Sequence, residues 1–198
     1  MKLETRKAEA RDLQQIKHLI DDFISRDFYT IEELGKMVEG KDDLLYVAVD
    51  ADQNERVVSY FYAFLSTLDE ALEILHVKEK PEALLKYTGN ERVGVYKTTS
   101  TDPEYRNRGL FSSFMADLQP VLRSMGAQMI INTALRPYGR EIPILNVLRK
   151  TGFTQIGMVY RPWAETKGYC PYCKQDYCIC DAGLYIREFN EEEEKANG

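Results

Sequence analysis

Two short stretches of this chain carry residues able to do chemistry. The first holds Cys170, Cys173, Cys178 and Cys180, spaced Cys-x2-Cys-x4-Cys-x-Cys, which are all the cysteines in the sequence. Four thiolates can close a tetrahedral zinc site, and Cys-x2-Cys is the usual turn that presents two sulfurs to one metal. Such a site leaves no open position for substrate, so its expected task is structural: to brace the loop before a last strand that joins the sheet edge. The single residue between Cys178 and Cys180 is a less usual spacing. Iron–sulfur binding, redox thiols and four free cysteines are the alternatives.

The second stretch is YRNRGLF, residues 105–111, set between a strand pattern and a helix pattern. A helix begins with free N–H groups and a positive dipole end, so a glycine-containing turn leading into one is a ready anion site. Arg106 and Arg108 add charge, and Gly109 lets the backbone approach a phosphate closely. Taken alone, the same spacing also suits an ordinary loop with solvated arginines. Other nucleophile schemes lack partners. His18 lies on the polar side of the first helix pattern and His76 in a polar stretch, and Ser112 and Ser113 read as a helix first turn.

The elements that must position these residues follow from periodicity. Residues 2–8 read as a strand, and Leu13, Ile16, Ile20, Phe23 and Ile24 repeat at helical spacing. Thr30 with Glu33 forms a capping box for a short helix that stops before Gly40. Residues 44–49 and 57–65 are β-branched and aromatic runs around a polar turn, hence a hairpin. Residues 66–90 show a helical pattern broken at Pro81 and are expected as an insertion over one end of the sheet. Residues 92–101 form the next strand, followed by a helix with Phe111, Phe114, Leu118, Leu122 and Met125 on one face, closed by Gly126. Pro120 inside that helix is expected to kink it. A buried strand (128–134), a short helix (143–151), a strand (153–160), the cysteine segment and a last strand (184–189) complete a mixed α/β layer fold.

With 198 residues, 44% of them apolar, the chain can bury one ordinary core. Net charge is −6, but residues 1–102 carry −7, residues 103–163 carry +5 and residues 164–198 carry −4. One locally basic segment in an acidic protein suits a small anionic ligand better than a nucleic-acid track. Residues 164–181 carry a net −1, which argues against RNA stacking on Tyr169, Tyr172 and Tyr177. The charged start, MKLETRKAEARDL, lacks the apolar run of an export or membrane segment. A cytoplasmic, reducing setting is expected, where clustered thiols bind metal before they form disulfides.

In this order of strand, loop and helix, the chain resembles the GNAT superfamily of acetyl-CoA-dependent N-acyltransferases over residues 1–163. The resemblance rests on AEARDL (8–13), DPEYRNRG (102–109), the long helix after it and RKTGF (149–153). It implies a mixed, mostly antiparallel central sheet flanked by helices over residues 1–163; beyond it, residues 164–190 are expected from their cysteines as a metal-binding extension carrying the final strand, and residues 191–198 read as an acidic disordered tail. The family's pyrophosphate loop, R/Q-x-x-G-x-G/A, falls on Arg106, Asn107, Arg108, Gly109, Leu110 and Phe111. Their backbone amides are then implied to hold the pyrophosphate of coenzyme A (CoA). Thr99 and Thr101 are implied to pair with pantetheine, the Thr99 N–H facing the developing oxyanion.

The implied reaction moves acetyl from acetyl-CoA to a primary amine of a small molecule or peptide by direct transfer. Nucleic acid and membrane are not expected as partners, and homodimerisation is left open. Two positions depart from the family. Phe111 stands where Gly or Ala is usual, so its ring turns away or the loop is displaced. Leu148 stands where the family has the tyrosine that protonates the leaving thiolate. A thiol with a reference pKa of about 8.5 can leave unassisted, with solvent or Tyr138 returning the proton. A catalytically silent CoA-binding sensor or interaction module is the alternative. The general base could be any acid near the sheet end, Glu73, Glu91 and Glu141 among them.

Overall fold

The computed structural model describes residues 2–26, 28–165 and 167–189. The acidic tail at 191–198 lies outside them. Along the chain run β1 (Leu3–Lys7), α1 (Leu13–Phe23), α2 (Ile31–Glu39), β2 (Asp43–Asp50), β3 (Arg56–Thr67), α3 (Leu68–Ile74) and β4 (Arg92–Thr101). They are followed by α4 (Leu110–Ser124), β5 (Met129–Arg136), α5 (Leu145–Lys150), β6 (Thr154–Val159), β7 (Lys167–Cys170), β8 (Gln175–Tyr177) and β9 (Asp181–Glu188). Seven strands form one sheet in the order β1-β2-β3-β4-β5-β9-β6, while β7 and β8 pair apart as a small hairpin. Every pairing in the large sheet is antiparallel except β4 with β5.

Local chemistry starts the elements where the sequence places them. Thr30 accepts from the Glu33 N–H while the Glu33 carboxylate accepts from the Thr30 N–H at 2.7 Å, the reciprocal cap of α2. Before α1, the buried Asp12 carboxylate accepts from the Glu9 N–H and from both terminal nitrogens of Arg6. Pro120 sits on the solvent side of a continuous α4, so the carbonyl it leaves without a partner can be hydrated.

The sheet is covered on both faces. On one, α4 and α5 bury Phe114, Met115, Leu118, Leu122 and Leu148 against Phe61, Tyr96 and Ile130. On the other, α1 and α2 cover β2 and β3, and Leu68, Ala71, Leu72, Leu75 and Leu84 cover Val93, Val95, Met129, Ile131, Leu184 and Ile186. Residues 68–84 therefore lie over the face of the sheet rather than over one end. Its leucines form a single apolar surface although Pro81 interrupts their periodicity. Among the described residues, no helix is long and apolar enough to cross a membrane.

The last strand also departs from expectation. Instead of joining an edge, β9 lies between β5 and β6 and pairs with both. Ala182, Leu184, Tyr185 and Ile186 are buried because both faces and both edges of the strand are covered. A boundary at residue 163 would cut this sheet, so the cysteine hairpin is an excursion between two of its strands.

Leu148 is fully buried. Leu148→Ala should cost about 2–5 kcal/mol through the cavity it leaves. Denaturant unfolding checks this; an unchanged midpoint would contradict the packing described.

Candidate active site and metal centre

Parallel pairing of β4 with β5 runs from Val93–Met129 to Tyr96–Asn132. Beyond that rung β4 continues on β3 to Thr101, and β5 continues on β9 to Arg136. Lys97 to Thr101 and Thr133 to Arg136 consequently face an opening between two neighbouring strands. A β-bulge in the β3–β4 register, at Lys97, bends β4 just where the pairing stops. Thr99 and Thr101 lie on this free half. The Thr99 hydroxyl donates to the Tyr60 carbonyl at 2.8 Å, and the Thr101 and Ser59 hydroxyls are 2.8 Å apart. Their side chains are thus tied toward β3.

The loop after β4 is built by local contacts. The Asp102 carboxylate accepts from the Glu104 N–H and from Arg56 at 2.6 Å. Tyr105 is buried and donates from its hydroxyl to Asp50 at 2.9 Å. Arg106 donates through Nε to the Thr101 carbonyl and lies over the Phe23 ring, while Arg108 donates to the Glu104 carbonyl and lies over Tyr105. Each guanidinium has further N–H groups to offer. Asn107 and Gly109 both take positive φ, 60° and 79°, turning the chain sharply into α4.

Gly109 is the N-cap of α4 and no side-chain cap bond closes that end. A Cβ built at Gly109 meets nothing within 4 Å. The 15-residue helix thus starts beside two arginines, with its first-turn N–H groups uncapped by a side chain and open space where a side chain at Gly109 would point. Phe111 turns inward, its ring 5.9 Å from that of Phe61 and packed on the core, so it does not cover this end. Gly94 sets how closely α4 lies on β4: a Cβ there would stand 2.7 Å from a Leu122 methyl.

The remaining sequence candidates separate. Glu91 sits before β4, at the far end of that strand from Thr99. N–H groups of Thr88 and Gly89 hold its carboxylate at about 2, so it is a poor base at neutral pH. Glu73 is exposed on α3, and Glu141 is exposed on the loop after β5. His18 is exposed and pairs with Asp22 at 3.1 Å. His76 lies past α3, where desolvation and the nearby Lys97 charge lower its pKa. A wide surface depression bordered by Lys86, Gly152 and Glu188 lies at the opposite end of the sheet from the loop.

Several polar groups at the opening escaped the sequence reading. Tyr60 Oη, Thr98 Oγ1 and Asn132 Oδ1 are buried with no hydrogen-bond partner among the described residues. The Thr98 hydroxyl lies beside those of Tyr29 and Tyr60, and burial drives the Tyr29 phenol up to about 12, so it stays protonated. Lys97 is held below the usual lysine range by burial and donates to the Ile74 carbonyl at 3.0 Å. A threonine or tyrosine in a strand pattern reads as β propensity, which is why only the fold exposes this set.

Cys170, Cys173, Cys178 and Cys180 come together with all four ligand atoms within 4.8 Å of one another. Cys170 and Cys178 sulfurs are 3.7 Å apart. Four sulfurs about 2.3 Å from one zinc would be spaced about 3.8 Å, a spacing the Cys170–Cys178 pair already has. Backbone N–H groups lie near the sulfurs and favour their thiolates: those of Ile179 and Gln175 at Cys173, Cys180 at Cys178, and Tyr138 at Cys180. Burial opposes the Cys173 thiolate, yet these donors and the neighbouring sulfurs lower its pKa, whereas burial pushes Cys180 up to about 11. N–H donors aimed at sulfur stabilise thiolate, the form that binds metal.

No protein-family model matches the chain, and no curated protein sequence matches it. Solved structures do. Arabidopsis thaliana NAA60 in complex with acetyl-CoA superposes with a TM-score of 0.69 at 14% identity, covering 96% of this chain and 99% of that one. The NatC complex bound to Gag peptide and CoA gives 0.68 at 15% identity, covering 96% of this chain and 100% of that chain. A GNAT superfamily phosphinothricin acetyltransferase from Sinorhizobium meliloti in complex with AcCoA gives 0.63 at 16% identity, covering 96% and 90%. With the divergent β4–β5 pair and the open helix end already in place, these likenesses establish that the chain has the GNAT acetyltransferase fold.

Proposed function

We propose that this protein is an N-acetyltransferase that moves the acetyl group of acetyl-CoA to a primary amine of a small molecule or peptide. The observation that carries the reading is the uncapped N-terminus of α4, opening beside Arg106 and Arg108 at the end of the free half of β4. The α4 end and its loop, Arg106 to Phe111, take the pyrophosphate. The free edge of β4 at Thr99 and Thr101 takes the pantetheine arm.

We place the amine at the β4–β5 opening on the face of the sheet opposite α4, beside Thr98 and Tyr29. Its nitrogen attacks the thioester carbon, the carbon–sulfur bond breaks, the amine proton leaves to base, and the thiolate gains a proton. Holding the two reactants together accounts for much of the acceleration, since well-oriented pairs reach effective molarities of about 10⁵–10⁸ M. The Thr99 N–H stabilises the oxyanion formed on the way. Leu148 packs in the core and donates no proton. Solvent, or Tyr138 on the exposed turn after β5, supplies one instead. The buried Leu148 also favours a second reading, a CoA-binding module without turnover, which transfer assays over an amine panel distinguish.

We assign the four cysteines one structural zinc ion. The convergence of the four sulfurs supports this, and the closed donor set offers the metal no catalytic position.

Gly109→Val places a branched Cβ at φ 79° into the space left for the pyrophosphate. It should raise the calorimetric Kd for acetyl-CoA by about tenfold or more, whereas Arg123→Ala should leave it unchanged. Equal affinity of the Gly109 variant and the parent would remove the loop from the account.

Elemental analysis of protein purified without chelator should give one zinc per chain, released as pH falls because protons compete for the thiolates. A content below about a tenth of an equivalent, with four titratable thiols in the folded state, would refute the assignment.

A further inference from the structure

The free half of β5 has a single strand neighbour. Beyond Asn132 it is held by β9 alone, through Thr133–Leu184, Ala134–Gly183, Leu135–Ala182 and the last rung, Arg136–Asp181. Asp181 directly follows Cys180. The cysteine cluster therefore sits at the open mouth, where the rungs that fix β5 begin.

Three further contacts bind the cluster to that mouth. Leu135 of β5 packs on the cysteines. Tyr138, two residues past the end of β5, brings its backbone N–H close to the Cys180 sulfur. Trp163 packs both on the cysteines and on the core beneath α3, joining the hairpin to the body of the fold. The Asp181 carboxylate also accepts from the Arg161 N–H at 3.1 Å, fixing the exit of β6 to the same rung.

We propose that the metal-loaded cysteine knuckle is a clamp that sets the position of the free half of β5 and with it the width of the β4–β5 opening. The cysteines are positioning residues: they touch neither reactant and act through β9 and Leu135. The functional consequence rests on the acetyl-CoA reading above. The nucleotide half of the substrate docks at the α4 end, remote from the clamp along the chain, while the acetylated arm enters the opening that the clamp holds. Loss of metal should therefore weaken binding of the arm and spare the nucleotide.

The test compares holoprotein, protein stripped by chelation and stripped protein reloaded with zinc. Hydrogen exchange read by mass spectrometry should accelerate about tenfold over 133–136 on stripping, return on reloading, and stay constant over 44–49. Calorimetry should show acetyl-CoA weakened about tenfold and ADP 3′-phosphate, which lacks the pantetheine arm, unchanged. Cys173→Ser should reproduce the stripped state; if that variant fails to fold, the stripped parent decides. Unchanged exchange over 133–136 after complete metal loss would overturn the clamp. Equal weakening of both ligands would overturn it as well, since a general loosening of the fold does the same. Holoprotein that binds neither ligand would refute the acetyl-CoA reading, with the exchange data still deciding the clamp. Protein that never contains metal would refute both the zinc assignment and the clamp.

Discussion

The parallel hydrogen bonding between β4 and β5 stops after Tyr96 and Asn132, and everything else about the site depends on that stop. Two adjacent strands that part inside one sheet expose backbone N–H and carbonyl groups that the interior cannot leave unpaired without cost. The protein holds them apart by giving each half another partner. β4 keeps β3, with a bulge at Lys97 and threonine hydroxyls bound back to it, and β5 keeps β9. A gap in a sheet, otherwise a defect, becomes a slot that an extended polar chain can fill.

The rest of the architecture aims other groups at that slot. Gly94 lets α4 lie directly on β4, and the positive φ at Asn107 and Gly109 brings the start of the helix to the end of the strand. Tyr105 anchors the connecting loop through Asp50 at the end of β2. The helix end, two arginines and the free strand edge thus converge on one opening without any catalytic side chain being required for binding. On the acetyl-transfer reading proposed above, the reaction would depend on placement, with the leaving group departing as thiolate.

Much of this was legible in the sequence, because it is local. The Thr30–Glu33 cap, the hairpin of β2 and β3, the loop at 106–111 and the cysteine spacing are all signals a few residues long. What was not legible depends on strand order and on burial. Nothing in residues 181–188 tells an edge strand from one inserted between β5 and β6, since both are apolar runs. The leucines of 68–84 seemed interrupted at Pro81 because their common surface exists only when the chain folds back over β4 and β5. Thr98, Tyr60 and Asn132 became candidates only when the fold buried their polar atoms without partners. The inward turn of Phe111 is likewise decided by Phe61, 50 residues earlier in the chain.

On the proposed reading, one ligand engages both the slot and the helix end. Amide chemical shifts of isotopically labelled protein titrated with acetyl-CoA test it most directly. Saturable changes are expected in two segments only, residues 97–101 along the free half of β4 and residues 106–111 at the start of α4, moving together along one binding curve. Binding that shifts amides elsewhere and leaves both segments unmoved would contradict it.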